Sequence, residues 1–293
     1  MLQKIRPYIL VLPVLMLTCI LFFAGLVEGF IQSLGLTSIY DVSQISFKHY
    51  EELLKSSEFW DCFFLTIKIS IISTLISVFL GLFIIFLLFI IKTSKYSRFT
   101  LVIKNFFQIP MLFPYLVSGY IIFMIFTQSG WISSILFNMG IIEKITDFPV
   151  IINDEFGFGI IIAYIWKTSP FVVLMLFSVV LKVESSWVEL GYMLGASRFN
   201  FFKEVIFPLL ISPLKISSFI IFTYTFADFE IPFLLGVTYP KMISVYSYQI
   251  YMNGNLIDRP KALAINVLTI IIILSIGAVF YFFEKKNIHE RRK

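Results

Sequence analysis

Six long apolar segments separated by polar connections predict an all-α membrane protein that crosses the bilayer six times. Three observations carry this prediction. Of the 293 residues 59% are hydrophobic and only 14% are charged, whereas an ordinary soluble domain carries about 25% charged residues. The apolar residues fall in runs, with a mean hydropathy of +0.92 and 35 phenylalanines. Lys and Arg are also distributed unequally between alternate connections. A span needs about 20 mostly apolar residues, because a helix rises ~1.5 Å per residue across a ~30 Å hydrocarbon core. Lipid offers no partner to an open strand edge, so the spans are helices. Runs this long do not fit the short alternating segments of a barrel.

The first span covers Tyr8–Ile31 and follows Lys4 and Arg6. Leu17-Thr18-Cys19 faintly resembles a lipoprotein cleavage site. The run is longer than a signal core, however, and Thr18 is poorly suited to precede such a cysteine, so the segment is expected to be retained. The other spans are Cys62–Ile91, Ile109–Phe126, Phe158–Leu181, Phe207–Gly236 and Leu263–Phe283. The outer connections 32–61 and 127–157 are expected to form caps or short helices. If the N-terminus lies inside, the inner segments hold fourteen Lys and Arg, including Lys92, Lys95, Arg98, Lys104, Lys182, Lys203 and the cluster from Lys285 to Lys293. The outer loops hold six: Lys48, Lys55, Lys144, Lys241, Arg259 and Lys261. The positive-inside rule then places both termini in the cytoplasm. No Gly/Ser or Pro linker and no clear repeat divides the chain, so residues 1–293 read as a single transmembrane domain.

Several functions are disfavoured. Cys19 and Cys62 lie in or beside apolar runs and make no disulfide framework or zinc site. His49 and His289 sit in polar segments without ligand partners. The net charge of +5 belongs to the inner connections rather than to a nucleic-acid surface. No Gly-x-x-x-x-Gly-Lys-Ser/Thr loop is present, so neither nucleotide nor any other cofactor is expected. A membrane-embedded enzyme would want a metal-spaced acidic or His cluster or a Ser–His arrangement, and neither is visible. A stand-alone secondary transporter or channel would want paired repeats and a regular set of broken helices, also not visible. A purely structural assembly subunit stays open.

The most informative segment is the inner connection 182–206. Helix–helix connections in a bundle need roughly 2–8 residues, and this one is far longer, helix-compatible and amphipathic. Its spacing predicts two short helices broken near Gly195, with Pro208 in the first turn of the next helix. Leu194, Phe199 and Phe202 would be exposed apolar residues. Two readings stay open: a surface that docks a protein partner, or an amphipathic helix lying on lipid headgroups.

This segment resembles the EAA loop of MetI-like importer permeases: Glu-Ala-Ala, three residues, Gly, nine residues, an aliphatic residue, one residue, Leu, Pro. Glu189, Gly195, Val205 and Pro208 take the acid, glycine, aliphatic and proline positions at matching spacing. Leu190 and Gly191 replace the alanines and Phe207 the leucine. The adjoining Gly195-Ala196-Ser197-Arg198 is typical of such permeases, and the six-span layout extends the resemblance over most of the chain. The resemblance implies a type I ABC importer permease in which Glu189, Gly191, Leu194, Gly195, Ala196, Arg198, Phe199 and Pro208 couple to an ATPase. Glu189 would offer a carboxylate to the ATPase surface, and Gly195 would set the bend. The implied partners are two ABC ATPase subunits, a second permease of different sequence and an extracytoplasmic solute-binding protein. ATP hydrolysis would reside on the ATPase chains, so the permease itself is not an enzyme.

Charged residues within spans need an explanation. Lys167, in Trp166-Lys-Thr-Ser-Pro170, either faces a translocation path or pairs with a neighbouring helix or snorkels. Pro170 would kink its helix. Asp228 and Glu230, two residues apart in the fifth span, point in different directions on a continuous helix. One of them could line a cation-attracting cavity, or both could serve ion pairs with Lys167 or a partner permease. The phrase from Asp228 to Gly236, together with Arg259-Pro-Lys-Ala262, resembles the spermidine/putrescine branch. Related phrases occur in iron and phosphonate importers. A polyamine-like cation is therefore the first expectation for the solute. Trp60, Trp131 and Trp187 are expected to be interfacial anchors.

Overall fold

The computed structural model describes residues 2–36, 45–91, 98–183 and 185–290. The side chains of 2–9, 91, 98–104, 185, 186, 189 and 283–290 lie outside the described residues, as do Lys92, Lys95, Arg291, Arg292 and Lys293. The regular elements among the described residues are helical: α1 (Leu2–Ser33), α2 (Lys48–Lys55), α3 (Ser57–Ile91), α4 (Arg98–Leu112), α5 (Tyr115–Phe126), α6 (Trp131–Asn138), α7 (Phe158–Val180), α8 (Ser185–Met193), α9 (Arg198–Phe201), α10 (Phe207–Ala227), α11 (Glu230–Leu235), α12 (Ile243–Met252) and α13 (Arg259–Glu290). Six helical stretches are long and apolar enough to cross a bilayer. The outer connections do contain short helices, α2 and α6, with a 3₁₀ turn at Ile145–Asp147.

Two spans are broken where the sequence reading has them continuous. In the third, α4 begins at Arg98 and stops at Leu112, and α5 resumes at Tyr115. Pro114 is the cause. It lacks a backbone N–H and pushes the residue before it away from helical backbone, and it is itself extended, with ψ 153°. In the fifth, α10 ends at Ala227, Asp228 is extended with ψ 140°, and α11 starts at Glu230. Asp228 and Glu230 therefore do not share a continuous helix.

The chain forms two compact units, Met1–Trp60 with Tyr246–Lys293, and Asp61–Val245. In the first, α1 and α2 both pack on α13. Ser247 Oγ there donates to the Ala262 carbonyl (2.9 Å) and bonds Asn266 (2.8 Å). Leu10, Leu15, Leu21 and Phe22 of α1 stay exposed, as suits side chains solvated by lipid. In the second unit α7 is central, packed by α4, α5, α10 and α11. Its buried residues include Ile161, Ala163, Tyr164, Val172 and Leu176. α7 and α3 approach closely at Gly81, where a Cβ would lie 2.5 Å from Val172 Cγ1. Nearby, the hydroxyls of Ser77 and Thr168 bond at 2.7 Å. Small residues and hydroxyl pairs of this kind are how helices associate when lipid is as apolar as the side chains.

Candidate functional site

The inner connection is an elbow built from α8 and α9. Ala196 N–H donates to the Gly191 carbonyl and Gly195 N–H to the Tyr192 carbonyl, both at 3.0 Å. These are the two bonds of a Schellman cap, with Gly195 as the left-handed residue at φ +86°. Only glycine takes that backbone without a Cβ penalty. Ser197 then caps α9, its hydroxyl accepting from Asn200 N–H at 3.2 Å. Helical structure continues from α9 through a π-turn at Phe202–Ile206, and Pro208 stands in the first turn of α10, as its spacing predicts.

Anchoring and exposure divide the elbow. Phe201 and Phe202 are buried. Phe89 of α3 lies 6.1 Å from the Phe201 ring and 5.6 Å from that of Phe202. Arg198 donates to the Ile90 carbonyl at the last turn of α3, where unpaired carbonyls and the helix dipole favour a cation. Gly191 lies where a Cβ would meet the Phe201 ring at 2.6 Å, which is why the second alanine of the motif is a glycine beside this phenylalanine. Met193 and Leu194, at the tip, are 84% and 87% exposed, and Leu190 and Phe199 are also exposed. Ala196 is half-buried. Glu189 lies on α8, but its side chain is outside the described residues.

Of the other site residues, Trp166, Lys167 and Glu230 meet at the break between α4 and α5. Pro110 would normally bond its carbonyl to the N–H four residues on, but that residue is Pro114, which has none. The Lys167 ammonium replaces the missing donor. It donates to the carbonyls of Pro110 (2.8 Å), Met111 (3.4 Å) and Phe113, which uses all three of its protons. Nζ also lies 4.9 Å from the Tyr115 ring centroid. Lys167 is 6% exposed. On the other side of the break, Leu116 N–H donates to Glu230 Oε2 at 2.7 Å, so a carboxylate sits at the N-terminus of α5. Asp228 is buried, accepting from Tyr164 OH (3.0 Å) and Ile231 N–H (3.3 Å). Trp166 is half-buried and stacks against Phe113, with ring centroids 6.2 Å apart. Pro170 is buried inside a continuous α7 and removes the helical donor to the Trp166 carbonyl.

Lys167 and Glu230 thus meet the two faces of one break, and Asp228 serves a separate bend. Sequence reasoning missed Tyr115, Tyr164 and Tyr224. The Tyr115 and Tyr224 rings stack with centroids 4.4 Å apart, a pairing between distant segments that no local pattern signals. Pro114 was a readable signal for the break. Leu116 and Tyr120 on α5, Tyr224 on α10 and Glu230 are exposed on this side. The 15 residues of α4 place the break about 22 Å along that helix from Arg98.

Six candidate spans among the described residues, a two-helix elbow and charged side chains held at a helix break define a multi-pass permease component of a transport system. The chain belongs to the family of binding-protein-dependent transport system inner membrane components, whose pattern matches residues 77–289. It is therefore an ABC-importer permease of the inner membrane, a transporter component rather than a stand-alone carrier or channel. It is 27% identical to the trehalose/maltose transport system permease protein MalF of Thermococcus litoralis, over 93% of this chain and 91% of that one. It is 24% identical to the sn-glycerol-3-phosphate transport system permease protein UgpA of Agrobacterium fabrum, over 98% and 97%. Its fold matches a chain in the crystal structure of a bacterial alginate ABC transporter in complex with an alginate pentasaccharide-bound periplasmic protein. The TM-score is 0.75 and the identity 17%, over 97% of this chain and 96% of that one.

Proposed function

We propose that the elbow is the mechanical handle by which a separate ATPase drives this permease. The observation that carries this reading is the contrast within the elbow. Phe201, Phe202 and Arg198 fasten it to α3, while Met193 and Leu194 present bare apolar side chains at its tip. A rigid base with an unpartnered apolar tip fits a docking surface better than a helix lying flat on headgroups. Glu189, Gly191, Gly195, Ala196, Phe199 and Pro208 shape or rim that surface. The partners are two ATPase subunits, a second, different permease and an extracytoplasmic solute-binding protein.

The translocation path lies on the side of the second unit that carries Leu116, Tyr120, Tyr224 and Glu230. An exposed carboxylate beside a break between apolar helices is not suited to acyl chains and faces water, solute or a partner. Carboxylates only accept hydrogen bonds, so the solute is a donor-rich neutral or cationic molecule rather than an anion. A saccharide is the reading favoured by the resemblance to the trehalose/maltose permease, which runs almost the full length of both chains. A polyamine is the second reading, favoured by the exposed carboxylate of Glu230. The test is uptake by proteoliposomes in which this chain is reconstituted with its ATPase, partner permease and binding protein. Labelled maltose, spermidine and sn-glycerol 3-phosphate are compared. Uptake of maltose, or of spermidine, supports the reading, and uptake of glycerol phosphate alone refutes the solute class.

A further inference from the structure

Not every charge in the transport path needs to touch the solute, and the break in the third span separates the roles. We infer that Lys167 is a positioning residue. It holds the end of α4 and the start of α5 in register, so that Tyr115, Tyr224 and Glu230 present a fixed surface to the path. This inference rests on the path reading above.

The geometry leaves Lys167 nothing to offer a solute. Its three protons are committed to Pro110, Met111 and Phe113, its ammonium is covered by the Tyr115 ring, and the residue is almost fully buried. The same contacts give it leverage on what the path does see. Pro110 lies inside the last turn of α4, and Phe113 is the residue at the break. Tyr115 opens α5 and stacks on Tyr224. Across the break Glu230 holds the Leu116 N–H. A cation at the C-terminal carbonyls of one half-helix and an anion at the N-terminal amide of the next complement both half-helix dipoles. Without the cation, the three carbonyls at the break lose the donor that ties them together. The joint then has no reason to keep one angle.

Cysteine labelling in the assembled importer tests this without knowing the solute. Cys19, the exposed native cysteine, is replaced by serine, and Cys62, which is buried, is kept. Tyr120→Cys reports on the path face, and Leu75→Cys, exposed on α3, serves as control. Each is reacted with a membrane-impermeant cationic methanethiosulfonate in native membranes. With Lys167 intact, Tyr120→Cys reacts and Leu75→Cys does not. Lys167→Met is expected to change the Tyr120→Cys rate by about tenfold, the scale of losing hydrogen bonds to a charged group. Lys167→Arg is expected to bring the rate back toward that of the intact protein. A variant that only lowers the amount of assembled complex leaves the rate per molecule unchanged, and that result overturns the inference. If Lys167→Met does not accumulate, Lys167→Gln, which keeps amide donors, supplies the same readout. Failure of Tyr120→Cys to react even with Lys167 intact would instead refute the path reading.

Discussion

Gly191 and Gly195 lie four residues apart in the elbow, and the same substitution should harm them for different reasons. Gly195 has open space around it, so an added Cβ meets nothing within 4 Å and the cost lies in the backbone at φ +86°. Gly195→Ala is expected to destabilise by about 1–2 kcal/mol, while Gly195→Asn, which tolerates left-handed backbone, is milder. Gly191 has ordinary room in its backbone but none for a side chain, because the Phe201 ring is 2.6 Å from the Cβ position. Gly191→Ala is expected to cost about 1–3 kcal/mol by overpacking, and Phe201→Leu in the same chain should recover part of it. Gly195→Ala should gain nothing from Phe201→Leu. Thermal unfolding of the purified importer separates the two mechanisms.

At the level of elements, two contacts decide how the second unit works. The first is the crossing of α3 and α7. Gly81→Ala puts a methyl 2.5–2.6 Å from Val172 Cγ1 and Cβ and is expected to cost about 1–3 kcal/mol. Gly25→Ala on α1, where a Cβ meets nothing within 4 Å, should be close to neutral in the same melting experiment. The second is the elbow. Its fastening to α3 and its apolar tip are separate features, so they should fail separately. Met193→Asp with Leu194→Asp leaves every buried contact in place. The chain should insert and accumulate normally, but the ATPase should no longer co-purify. Arg198→Met instead removes the donor to the Ile90 carbonyl and should loosen the base of the elbow, lowering transport per ATP hydrolysed while the tip still binds. Co-purification and coupled uptake, measured on both variants, distinguish grip from transmission.

For the whole molecule the question is which solute crosses. Lys167, Asp228 and Glu230 together carry one net negative charge, and Glu230 is the exposed member. Glu230→Gln keeps the shape and an acceptor oxygen but removes that charge. It is expected to weaken uptake of a cationic or polyhydroxylated solute by about tenfold or more, the scale of a hydrogen bond to a charged group. It should also reduce discrimination against sn-glycerol 3-phosphate. Competition between labelled maltose and unlabelled glycerol phosphate in proteoliposomes measures both effects. An uptake profile indifferent to Glu230 would move the path to another face of the second unit.

Hydropathy alone was enough for the class and the number of spans, because the cost of burying polar backbone and charge in lipid acts on each segment independently. The elbow was legible for a similar reason. Gly195 marks a left-handed cap and Pro208 a disturbed helix turn, and both effects are local. Local rules also pointed to the break at Phe113–Pro114, though the apolar run from Ile109 to Phe126 masked it. What no segment could reveal was how the in-span charges are used. Lys167 closes carbonyls more than 50 residues upstream, Glu230 caps a helix 114 residues away, and Tyr115 finds its ring partner on α10. Hydrogen bonds and ring contacts at such separations exist only after the helices have packed. A lysine in an apolar run therefore reads the same in sequence whether it awaits a solute or repairs a broken helix.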